Sequence, residues 1–127
     1  MNKLILSVAL ALATLVPGCA TDEACTADDV CSCNGTGSCN LSCEGASCEF
    51  ECEGQGACNF ECAEGGCKAT AKGQGATDLS CAGDNCTLTC TGQGSCNLSL
   101  CTKNCHVHCR GQGTCNNECQ DSSCSID

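Results

Sequence analysis

From residue 33 to the C-terminus, apolar and polar positions alternate in short bursts that recur every 19 residues. One burst runs Cys39-Asn40-Leu41-Ser42-Cys43. It returns as Cys58-Asn59-Phe60-Glu61-Cys62, Thr77-Asp78-Leu79-Ser80-Cys81, Cys96-Asn97-Leu98-Ser99-Leu100 and Cys115-Asn116-Asn117-Glu118-Cys119. A second burst runs Cys48-Glu49-Phe50-Glu51-Cys52, then Cys67-Lys68-Ala69-Thr70-Ala71, Cys86-Thr87-Leu88-Thr89-Cys90 and Cys105-His106-Val107-His108-Cys109. Positions i, i+2 and i+4 of each burst share one face of a strand and the polar residues take the other, whereas a helix would scatter them. Glycine-bearing segments such as Gly54-Gln55-Gly56 separate the bursts and supply turn conformations that other residues resist.

A fixed period of this length is the signature of a repeat architecture. The units 33–51, 52–70, 71–89, 90–108 and 109–127 each predict one coil of a flattened β-solenoid, with two short parallel sheets stacked coil upon coil. The expected fold is therefore an all-β, disulfide-stapled solenoid. Two irregularities stand out. In the fourth unit the third cysteine moves one residue on, to Cys101, which predicts a single-residue bulge. Asn117 stands where an apolar residue is expected, which places it in a cap on the last coil.

Composition sharpens this picture. The 127 residues include 21 Cys and 15 Gly but only two Phe and neither Trp nor Tyr, so a conventional aromatic core is not available. That much cysteine means either disulfides in an oxidising compartment or a thiolate metal store in a reducing one. Lys3, the apolar run Leu4 to Val16 and the small residues that follow have the anatomy of an export signal, which favours disulfides. The apolar run is also short for a permanent membrane span.

Val16-Pro17-Gly18-Cys19 resembles the lipobox of bacterial lipoproteins. That resemblance implies a signal peptide over 1–18, a lipidated Cys19 as first mature residue and a cap over 19–32. With Ala20 after the cysteine, it also implies the outer membrane. Cleavage after Gly18-Cys19-Ala20 by an ordinary signal peptidase, giving a secreted protein, remains the alternative. Parity favours the lipoprotein, because 21 is odd and a lipidated Cys19 leaves 20 cysteines to pair.

The third unit is informative about pairing, since Ala71 and Thr77 replace its first and seventh cysteines together. Their joint loss argues that these two positions bond across the intervening turn. The expected bridges at that turn are Cys33–Cys39, Cys52–Cys58, Cys90–Cys96 and Cys109–Cys115. At the opposite turn they are Cys43–Cys48, Cys62–Cys67, Cys81–Cys86, Cys101–Cys105 and Cys119–Cys124, which leaves Cys25–Cys31 for the cap. A rival scheme bonds vertically between coils, because stacked strands lie about 4.8 Å apart and a disulfide accepts Cα separations of about 4.4–6.8 Å. It would join Cys33 to Cys52 and Cys90 to Cys109, but it strands one cysteine in each of the two columns that hold five.

Loss of the signal leaves Lys68, Lys72, Lys103 and Arg110 against 15 acidic residues, a net charge of −11. Such a surface repels phosphates and anionic headgroups, so no nucleic-acid partner is expected and membrane attachment falls to the lipid. Gly73-Gln74-Gly75-Ala76-Thr77-Asp78-Leu79 resembles the glycine-rich nonapeptide of the calcium β-roll. The resemblance implies a rolled solenoid; cysteine, or Thr77, occupies the calcium-ligand position, so disulfides take the structural role of the ion. No cofactor is expected. His106 and His108 share one strand face with Asp127 on the next coil, a weak candidate metal site without a secured third ligand.

Catalysis has no candidate, since parity leaves no free thiol to activate. The expectation is an envelope-anchored structural or adhesion lipoprotein, without enzymatic activity, that meets a protein or polysaccharide through its polar faces. Asn40, Asn59, Asp78, Asn97 and Asn116 would form one column there. The alternative is a metal-binding or thiol redox-buffering protein.

Overall fold

Alternating inward and outward side chains need two faces to bury, and the chain supplies them by winding. The computed structural model describes residues 22–127, and the signal region and Cys19 lie outside them. The coils place twelve strands in chain order: β1 (Asp22–Cys25), β2 (Val30–Gly35), β3 (Cys39–Cys43), β4 (Glu49–Gly54), β5 (Cys58–Cys62), β6 (Lys68–Ala71), β7 (Thr77–Cys81), β8 (Thr87–Cys90), β9 (Cys96–Ser99), β10 (His106–Cys109), β11 (Cys115–Asn117) and β12 (Ser125–Ile126). Odd-numbered strands form one six-stranded parallel sheet and even-numbered strands the other. The fold is thus an all-β solenoid of about five turns.

Register follows the repeat. Residues 19 apart lie side by side, as in Asn40↔Asn59, Phe60↔Leu79 and Leu88↔Val107. The two sheets close on a thin core in which Leu41, Phe60, Leu79 and Leu98 face Phe50, Ala69, Leu88 and Val107, all buried. The two aromatic rings stack across the core, centroids 4.7 Å apart and planes 4° apart. Ala69 follows Phe50 in the same column, so a small side chain sits beside the largest one. Cysteines fill the corners of this core.

The turns stack as closely as the strands. At the Gly-Gln-Gly turn, backbone bonds run coil to coil from Gln55 N–H to Gly35 O (2.8 Å), Gln74 N–H to Gly54 O (2.8 Å) and Gln112 N–H to Gly92 O (3.0 Å). A Cβ on Gly56 would lie 1.9 Å from the Gly37 carbonyl oxygen, and one on Gly75 2.1 Å from that of Gly56. Backbone is in the way, so the column admits only glycine. This explains why the third unit keeps its Gly-Gln-Gly after losing both flanking cysteines.

Departures from the ideal repeat have local causes. Strand β1 pairs with β3 at an offset of 18, Asp22↔Asn40 to Cys25↔Cys43, so the cap segment is a shortened coil that extends both sheets. The one-residue shift of the fourth unit falls just past the end of β9, not as a bulge inside the strand, and the Cys101–Cys105 turn is one residue shorter in compensation. Leu100 takes a left-handed backbone (φ 62°) and stands exposed, which returns Cys101 to the core. Asn117 acts as the end cap. Its Nδ2 donates to the carbonyls of Cys105 (2.9 Å) and Ser125 (3.1 Å), and its Oδ1 accepts from Cys119 N–H (3.1 Å).

Candidate binding faces and sulfur columns

On the outer face of the odd-numbered sheet, the register assembles Asn40, Asn59, Asp78, Asn97 and Asn116 into one column. Their side chains bond along it, Asn59 Nδ2 to Asn40 Oδ1 (2.9 Å) and Asn97 Nδ2 to Asp78 Oδ1 (2.7 Å). A parallel column carries Ser42, Glu61, Ser80 and Ser99, with the Ser80 and Ser99 hydroxyls 3.3 Å apart. A groove of about 450 Å³ runs over Asn40, Ser42, Asn59, Glu61 and Ser80 and is bounded by Leu100, the exposed leucine that the register shift expels. This apolar border was not foreseeable from the repeat, in which the site would hold a buried cysteine.

The even-numbered sheet presents a more varied face. One column reads Glu49, Lys68, Thr87, His106 and Ser125, and its neighbour reads Glu51, Thr70, Thr89 and His108. His106 Nδ1 lies 2.9 Å from the Ser125 hydroxyl, and His108 Nδ1 bonds the Asp127 carboxylate. Both histidines therefore spend one ring nitrogen on the next coil. Among the described residues, no group of three converging metal donors includes either histidine.

Charge is tied down at two turns. Lys72 bonds Glu51 and Glu53, and the Glu51 hydrogen bond foremost holds its ammonium above the ordinary lysine value. Asp84, in a left-handed turn position (φ 65°), accepts from Thr102 N–H (2.7 Å), the Thr102 hydroxyl (2.8 Å) and Lys103 N–H (3.0 Å). The Thr102 backbone donor is the chief cause of its lowered pKa. The Ser123 hydroxyl (2.6 Å) and N–H (2.9 Å) lower Asp121 in the same way.

Sulfur lines both edges of the core. Ten bridges join Cys25–Cys31, Cys33–Cys39, Cys43–Cys48, Cys52–Cys58, Cys62–Cys67, Cys81–Cys86, Cys90–Cys96, Cys101–Cys105, Cys109–Cys115 and Cys119–Cys124, each within its own coil. Every cysteine among the described residues is thereby bridged. The turn at Gly54-Gln55-Gly56 and its equivalents is each coil's first, and the opposite one, bridged as in Cys43–Cys48, is its second. Cys25 aligns with Cys43, so its bridge belongs to the second-turn staples although its spacing of six matches the first-turn ones. Ala71 and Thr77 occupy the one gap in the first-turn column, aligned with Cys52 and Cys90 and with Cys58 and Cys96. There the Thr77 hydroxyl is buried without a hydrogen-bond partner.

Comparison of the chain with protein-family models, with curated proteins and with solved structures yields no match.

Proposed function

We propose that the protein is a non-enzymatic structural or adhesion element, anchored to a bacterial envelope by lipid on Cys19, most consistently in the outer membrane. The observation that carries this reading is the odd-numbered sheet's outer face, where amide, carboxylate and hydroxyl groups repeat once per coil on a body stapled by disulfides. A regular polar ladder suits contact with an extended polymer or with a partner's surface, because successive contacts add along the stack. The lipobox-like segment supports the anchor, and so does the use of all 20 cysteines beyond Cys19 in bridges. The alternative, a thiol redox buffer or metal store, requires free thiols at rest.

Two measurements test the proposal. Intact mass of protein extracted from its native membranes is expected to show a lipid-modified chain beginning at Cys19 with ten disulfides. An unmodified chain beginning at Thr21 removes the anchor, and ten or more free thiols favour the redox or metal reading. Co-sedimentation of the full chain with isolated envelope polysaccharide is expected to fall when Asn59, Asp78 and Asn97 are changed together to Lys. Equal sedimentation of both proteins removes the face from the account.

A further inference from the structure

Sulfurs of adjacent second-turn staples approach one another in two runs, Cys43 to Cys86 and Cys105 to Cys124. The sulfurs of Cys43, Cys62 and Cys67 lie within 4.8 Å of one another, as do those of Cys62, Cys81 and Cys86, and those of Cys105, Cys119 and Cys124. Each group joins one complete bridge to one sulfur of the adjacent coil. Among the described residues, no such group arises at the first-turn staples, whose column Ala71 and Thr77 also interrupt.

Disulfides rearrange when a thiolate attacks one sulfur of a bridge and the other leaves as thiolate. The geometry points to thiol–disulfide exchange ladders in two runs of the second-turn column, Cys43 to Cys86 and Cys101 to Cys124, within which a thiol opened in one coil passes to the next. A Cys43 thiolate attacks Cys67, so that a Cys43–Cys67 bond forms, the Cys62–Cys67 bond breaks and Cys62 departs as thiolate. Cys62 in turn attacks Cys86, forming Cys62–Cys86 and releasing Cys81. Each step makes one sulfur–sulfur bond and breaks one, so the number of disulfides and the oxidation level stay constant. Proton loss from the first thiol and its uptake by the last balance the charge.

The opening event is reduction of one bridge by an external dithiol, which is oxidised to its own disulfide. Access favours the C-terminal coil, where Cys119 and Cys124 are only partly buried, while Cys62, Cys67, Cys81 and Cys86 are fully enclosed. Enclosure keeps bulk reagents from the interior sulfurs, which leaves the neighbouring coil as their exchange partner. The ladder would let a broken staple migrate within each of two runs, between the coils of Cys43 and Cys81 and between the last two coils, since among the described residues no sulfur group joins Cys81 or Cys86 to Cys101 or Cys105. This inference does not depend on the lipid anchor or on the polar faces.

The test starts the reaction by mutation, without a reductant. Cys48→Ser in a full-length chain that also carries Cys19→Ser, oxidised and purified as monomer, has one unpaired thiol, at Cys43, and the other variants share this background. It is incubated at about pH 8, where a thiol of ordinary pKa is partly ionised, then quenched in acid, denatured, alkylated and mapped. The expected result is loss of label from Cys43, its appearance on Cys62 and Cys81, and new Cys43–Cys67 and Cys62–Cys86 peptides, all independent of protein concentration. Cys52→Ser serves as the control: its label stays in the first two coils and never reaches Cys90 or Cys96, beyond the gap. Cys124→Ser confines any folding defect to the last coil, and Cys119 should there attack Cys105 and move the label to Cys101. Label that remains on Cys43 and on Cys119, or that spreads equally across the gap in the control, overturns the ladder.

Discussion

The missing staple of the third coil can be put back. Ala71 and Thr77 stand between Cys52–Cys58 and Cys90–Cys96, whose Cα separations are 6.1 and 6.5 Å, and both residues are buried in the same columns as those cysteines. Ala71→Cys with Thr77→Cys therefore places two thiols at bridging distance without moving the backbone. Closing a loop of this length restricts the unfolded chain by about 2 kcal/mol in the chain-entropy model. The substitution also removes the buried Thr77 hydroxyl that lacks a partner, a group whose desolvation costs about 1–3 kcal/mol. Thr77→Val isolates the second effect, since it keeps the shape, removes the hydroxyl and should stabilise by about 1 kcal/mol. The double variant should lose two further hydrogens in intact mass on oxidation. With a urea slope of about 2 kcal/mol/M, its unfolding midpoint should rise by about 1 M or more. Two free thiols after full oxidation, or a midpoint below that of the parent, would refute both the column assignment and the within-turn pairing.

Four other outcomes follow from the same geometry. Phe50→Ala empties the stacked aromatic pair at a fully buried site and should destabilise by about 3–5 kcal/mol in chemical denaturation. Gly75→Ala forces a Cβ against the Gly56 carbonyl, so the variant should fail to reach ten bridges on oxidative refolding, as read by intact mass. Asn117→Ala removes the bonds to the Cys105 and Ser125 carbonyls and to Cys119 N–H; amide exchange should accelerate in the last coil while the first three coils keep their protection. Asp84 has its pKa lowered by Thr102 and Lys103, so its contribution is present above the unfolded value of 3.8 and is lost as pH falls through the lower folded value. The Thr102 and Lys103 amide resonances should accordingly titrate with a midpoint below 3.8, and a midpoint at or above it would remove the interaction.

The strand pattern was legible because cysteine, apolar and cysteine at alternate positions define an inward face, and because 19-residue spacing defines which strands are neighbours. The same spacing suffices to place Asn40, Asn59, Asp78, Asn97 and Asn116 in one column. It could not locate Cys25. Six residues from Cys31, that cysteine has the spacing of a first-turn staple, yet it aligns with Cys43 because the cap coil is one residue short. Leu100 was legible as an irregularity but not as a groove border, since a one-residue shift can be absorbed inside a strand or at its end. The sulfur contacts between coils were also hidden: periodicity stacks the turns, but side-chain directions at each turn decide which sulfurs meet. Nor does the alternation distinguish a bonded polar ladder from a row of independent solvated side chains; that depends on amide orientations along the column.

The central claim is a solenoid whose staples close each coil on itself, and peptide mapping of the fully oxidised chain under non-reducing, acid-quenched conditions tests it most directly. The account predicts Cys52 joined to Cys58 and Cys90 joined to Cys96. Cys52 joined to Cys33, or Cys90 joined to Cys109, would contradict it.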